Sequence, residues 1–105
     1  MAKIRDSAVS IVATAAASIA VEMPTHATGD LLLFFFNKDT ASLGPSTPSG
    51  WSTVSGFSNP LNSAGAGNYL FAKRAASAAE SLGSVSYTSE TSICIVIARQ
   101  RCYES

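Results

Sequence analysis

The residues that most constrain this chain are Leu31 to Phe36, six large apolar side chains in a row entered through Gly29-Asp30. Six residues fall far short of the about 20 that a membrane-spanning helix needs. No polar position alternates with them, so the run predicts a strand covered on both faces, and its aromatic content favours strand over helix. A second such run, Ser92 to Arg99, sets Ile93, Ile95 and Ile97 against Cys94, Val96 and Ala98. The two are natural neighbours at the centre of a layered β-domain.

Other strand signals surround this pair. Ala8 to Thr14 and Ala17 to Met23 are rich in β-branched residues, and Pro24 ends the second because proline cannot donate to a ladder. Trp51 to Phe57, Asn68 to Ala76 and Ser84 to Thr88 follow, with Val85 and Tyr87 sharing one face of the last. Between them lie loops at Pro24 to Asp30, at Gly44 to Gly50 with its two prolines and two glycines, and at Asn59 to Gly67. Ser77 to Gly83 has helical promise around Ala78-Ala79-Glu80, but it is too brief to stand as a helix and reads as a loop. Seven strands without a long helix predict an all-β fold, a two-layer antiparallel β-sandwich or jelly roll. The 105 residues make a single domain over 1–105, with 1–7 and 99–105 as terminal arms.

Composition bears on what covers such a domain. Formal net charge is zero and 13% of residues are charged, against the roughly 25% of ordinary soluble domains. Free monomers normally keep a charged, mixed-sign surface. A skin of Ser, Thr, Ala, Gly and Asn predicts instead a subunit occupied by neighbours, a homo-oligomer or part of a larger lattice. The lack of a clustered Lys/Arg patch excludes nucleic acid as a partner, and no apolar run is long enough to call for a membrane. Lys3 and Arg5 followed by Ala8 to Val21 imitate a secretory signal, but the segment is Ala, Ser and Thr rather than Leu, and Asp6 interrupts the basic region. The expectation is that the chain is not secreted through a signal peptide.

Catalytic chemistry has little to work with. His26 is the only histidine and sits in a loop without Cys, Asp or His at ligand spacing, so it predicts a solvated side chain and no metal site. No carboxylate pair or nucleophile set is spaced for acid–base work, so the chain reads as a non-enzyme without a cofactor. Gly65 and Gly67 lack the third glycine and following helix of a dinucleotide site. Cys94 and Cys102 lie eight residues apart, about 26 Å along one strand, which is beyond disulfide reach. Cys94 then reads as a small core residue and Cys102 as the better candidate for an intermolecular bond. Trp51, on the face it shares with Phe57, reads first as a buried core or loop anchor; the alternative makes Trp51, Tyr69 or Tyr103 sugar-stacking aromatics, beside Asn37 or Asp39 as polar partners.

One resemblance adds a setting. A strand ending at Pro24, a short loop into Gly29-Asp30-Leu31-Leu32-Leu33, then Thr47-Pro48-Ser49-Gly50-Trp51, an aromatic strand at Tyr69 to Arg74 and Val85 to Thr88 together resemble β-sandwich domains of tailed-bacteriophage virion proteins. The similarity spans roughly residues 18 to 98, and its motifs are structural. It implies a virion component of the capsid surface, neck or tail fibre, assembled in the host cytoplasm with a major capsid, neck or tail protein as partner. Chains of this kind often continue past the last strand, whereas this sequence ends at Ser105, which favours a small decorating or cementing subunit over a long fibre. Lys3, Arg5, Arg99, Arg101 and Tyr103, in the terminal segments, are the candidate partner contacts.

Overall fold

The computed structural model describes residues 3–38, 45–54, 61–63 and 66–100, with their side chains except at 13–16, 61–63, 66 and 87–93. Six strands and no helix occur among these residues: β1 Ile4–Ala20, β2 Leu31–Lys38, β3 Ser52–Thr53, β4 Leu61–Ser63, β5 Ala66–Arg74 and β6 Ser84–Arg99. Every pairing is antiparallel, in the order β1-β6-β2-β5-β3, with β4 also on β5.

The two apolar runs pair as the sequence predicts. β2 and β6 run in unbroken register from Leu31 opposite Arg99 to Lys38 opposite Ser92. β5 lines the other side of β2, from Arg74 opposite Leu31 to Gly67 opposite Lys38. A one-residue slip would turn Phe34 and Val96 out of the core and exchange them for the side chains of the other face.

β1 and β6 outrun the strands beside them. β2 pairs with β6 only from Ser92 to Arg99, while Ala16 to Ala20 of β1 continue against the earlier half of β6 down to Ser84. Register shifts between Val12 and Ala16 and between Ala16 and Ser18 interrupt the ladder there, and such irregularities bend a strand. Ile19 and Val85, beyond the bend, belong to the same buried cluster as Leu32, Phe34, Phe36, Trp51 and Phe71. The far end of the ribbon thus folds over the sheet as a second layer. The result is the two-layer antiparallel β architecture expected from the strand count.

Aromatic rings fill the space between the layers. Phe34 lies 5.8 Å from Phe71 and 6.2 Å from Trp51, and Phe36 lies 5.9 Å from Tyr69. The Trp51 and Tyr69 contacts are edge-to-face, a geometry that adds to area burial.

Several elements differ from expectation. The first two strand signals form one continuous strand, because the alanines joining them contain nothing to stop a ladder; strand pairing ends at Ala20, and Val21 and Met23 pack on the core as irregular chain. Asn37 and Lys38 extend β2, with Lys38 wholly buried and engaged in contacts. The loop expected at Asn59 to Gly67 contains β4 and the start of β5, paired from Leu61 opposite Asn68 to Ser63 opposite Ala66. Of the strand expected at Trp51 to Phe57, residues 52 and 53 pair with β5, and 55–57 lie outside the described residues. The arms expected at 1–7 and 99–105 are partly sheet, since residues 4–7 belong to β1 and Arg99 to β6.

Candidate functional site

β2 also corrects the expectation of burial on both sides. Leu32, Phe34, Phe36 and Lys38 are buried, whereas Leu31, Leu33, Phe35 and Asn37 are only half-buried. β6 repeats the pattern, with Cys94, Val96 and Ala98 buried and Ile95 and Ile97 half-buried. Inside one chain, the core covers a single face of the central sheet. The opposite face is just as apolar and is screened mainly by its own lateral neighbours.

The registers lay this outer face out in rows. Ser7, Ile97, Leu33 and Ala72 stand side by side across β1, β6, β2 and β5. Val9, Ile95, Phe35 and Leu70 form the next row. Neither row carries a charge. One end is closed by Ile4, Arg99, Leu31 and Arg74, and the other by Ile11 with the Asn37 and Asn68 amides, which hydrogen-bond each other. Exposure is graded across the sheet. Leu70 on β5 is 9% exposed, while Ile4, Val9 and Ile11 on β1 are 56, 50 and 67% exposed. Sequence pattern could not find this surface, because an unbroken apolar run looks the same whether its second cover comes from its own chain or from another molecule.

The terminal candidates fall into three groups. Lys3 and Arg99 are exposed, and the Gln100 N–H donates to the Lys3 carbonyl at 2.9 Å, which continues the β1–β6 pairing beyond Ile4 and Arg99. Arg5 is engaged within its own chain. Its guanidinium donates to Asp30, whose side chain is fully buried. Arg101, Cys102 and Tyr103 lie outside the described residues, as does Asp39.

Trp51 is the core anchor that its first reading expects, and the sugar-stacking alternative for Trp51 and Tyr69 is overturned. Trp51 and Tyr69 are 7 and 5% exposed, held edge-on in the core, and present no ring face to a sugar. Cys94 is buried, and burial pushes its thiol pKa up against the opposing hydrogen bond from Ser10.

His26 is buried rather than solvated. Its Nδ1 lies 2.8 Å from the Pro24 carbonyl and its Nε2 3.0 Å from the Glu80 N–H. The Glu80 carboxylate in turn accepts from Lys73 Nζ at 2.8 Å and from the Ala76 N–H, and its pKa is held down first by Lys73. This network locks the 75–83 loop onto the 24–30 loop. Its hydrogen-bonding groups are occupied with one another, so it is structural cross-bracing rather than a reaction centre.

A groove of about 320 Å³ opens between residues 45–49 and 82–86 and presents the hydroxyls of Ser46, Ser49, Ser84 and Ser86 without a charge. No group of three or more His, Cys, Asp or Glu could hold a metal ion among the described residues. Nor is any helix there long and apolar enough to cross a membrane. No protein-family model matches the chain, and no curated protein or solved structure matches it at a significant level.

Proposed function

We propose that this chain is a structural subunit that acts by being built into a larger protein assembly, not by catalysis. The setting is the virion of a tailed bacteriophage, where the chain decorates or cements capsid, neck or tail through protein–protein contacts. The observation that carries the assembly reading is the outer face of the β1-β6-β2-β5 sheet, whose two middle rows are uncharged and apolar except for Ser7, with Leu33, Phe35, Ile95 and Ile97 left half-buried by their own chain. Covering such a face returns about 25 cal/mol per Å² of apolar surface removed from water. The low charge of the chain as a whole, 13% of residues, fits a surface meant for neighbours. The virion setting rests on the resemblance of residues 18 to 98. Within this reading Lys3 and Arg99 lie at the charged end of the face.

Density-gradient sedimentation of lysates from cells that make the chain tests the proposal. The chain is expected to travel with particles that also contain a major capsid, neck or tail protein. A chain that stays at the top of the gradient, apart from every particle, overturns it.

A further inference from the structure

We infer that the outer face is covered by the same face of a second copy, the two sheets packing about a two-fold axis that lies in the interface and runs perpendicular to the strands. This rests on the assembly reading and names the first partner in it.

Three observations converge. First, the exposed large hydrophobic side chains among the described residues, Ile4, Val9 and Ile11, all fall on this one face, along β1. Second, the face is large enough. Four strands and four side-chain rows span about 19 by 27 Å, roughly 500 Å² on each copy and about 1,000 Å² for a pair. That reaches the roughly 1,000 Å² at which a specific interface becomes credible, and two flat sheet faces pack well at about 10 Å separation.

Third, the charges choose both the partner and the axis. The cations of the face, Arg99 and Arg74, stand in one end row, and the Asn37 and Asn68 amides in the other. An axis along the strands would gather the arginines of both copies at one end, with Arg99 over Leu31 and Arg74 over Ile4. An axis across them sends the two arginine rows to opposite ends and lays Arg74 over Asn68 of the second copy, whose side-chain carbonyl oxygen accepts from guanidinium. It also brings Ile4 of one copy over Ile11 of the other, and the Ser7 row over the Val9 row. With zero net charge, identical copies meet no long-range repulsion. A polyanionic partner would find two cations at one edge and an uncharged apolar field beyond them.

Sedimentation velocity on the full chain tests the pairing, with circular dichroism confirming the fold of each variant. Wild type is expected at twice the 10.8 kDa chain mass at about 100 μM, a concentration that detects even weak association. Ile11→Lys, and independently Val9→Lys, place a charge at exposed positions and are expected to give folded monomers. A monomeric wild type, or folded variants that still pair like wild type, overturns the inference. Mixing an Ile4→Lys chain with an Ile11→Glu chain is expected to restore the pair through one new charge pair and one retained Ile4–Ile11 contact; a mixture that stays monomeric overturns the proposed axis. Chains that pair but never travel with particles overturn the virion reading alone. Monomers that travel with particles and lose that attachment on Ile11→Lys put a foreign surface on this face and overturn the pairing alone.

Discussion

Arg5, near the start of β1, holds Asp30, the last residue before β2, through two charge-assisted hydrogen bonds, Nε to Oδ2 at 2.7 Å and Nη2 to Oδ1 at 3.1 Å. The Asp30 carboxylate also accepts from the Ala27 N–H, and the Asp30 N–H donates to the Ala27 carbonyl. It therefore closes the Ala27 to Asp30 turn from both sides. Gly29, at φ 91°, takes the left-handed corner that a side chain would strain. One buried carboxylate thus fixes how the chain enters its central strand and where the edge strand begins.

Removing the cation leaves that carboxylate buried without its counter-ion. Arg5→Met is expected to cost about 3 kcal/mol, the lower end of the range for a broken buried pair because Arg5 is a quarter exposed. Denaturant unfolding checks this; a loss below about 0.5 kcal/mol, typical of a surface pair, contradicts it.

The same pair sets the response to acid. Hydrogen bonding from Arg5, above all, holds the Asp30 pKa below its ordinary 3.8, and Lys73 does the same for Glu80 below 4.5. The unfolded chain then binds these protons more readily than the folded one. Their stabilisation is complete above about pH 5 and is lost as pH falls through the folded values. Stability measured from pH 6 downward is expected to drop below about pH 4.5, less steeply in Asp30→Asn. An identical slope in the variant contradicts the assignment.

His26 is fixed in one tautomer. The Pro24 carbonyl can only accept and the Glu80 N–H can only donate, so the proton sits on Nδ1 and the Nε2 lone pair faces Glu80. Nitrogen NMR shifts are expected to report the neutral Nδ1–H form. His26→Ala is expected to cost about 1–3 kcal/mol by orphaning a partly buried donor and to remove exchange protection at the Glu80 amide. An Nε2–H spectrum contradicts this geometry.

Trp51 offers an optical check on the core. At 7% exposure, with Phe34 6.2 Å away, its emission is expected to be blue-shifted, resistant to a polar quencher and unchanged by added glycans. Red-shifted, readily quenched emission places the ring at the surface and contradicts the layering.

The fold was legible where pattern and pairing coincide. The runs at Leu31 and Ser92 announce themselves as neighbours, and they pair. The continuity of β1 was not legible, because the alanines between Val12 and Ile19 carry little strand propensity, and the Leu61–Ser63 hairpin hid in a polar, glycine-containing stretch. Arg5 with Asp30, and His26 with Glu80, join positions 25 and 54 residues apart, so no local spacing links them. The outer face escaped for another reason: a continuous apolar strand states that it needs two covers without stating who supplies the second.

Radical footprinting of Leu33, Phe35, Ile95 and Ile97, in dilute chain and in the assembled state, bears on that surface most directly. These four side chains are expected to be labelled when the chain is dilute and protected on assembly, while Phe34, Phe36 and Val96 stay unlabelled throughout. Protection that is already complete in the dilute monomer, or labelling that assembly leaves unchanged, would contradict the account.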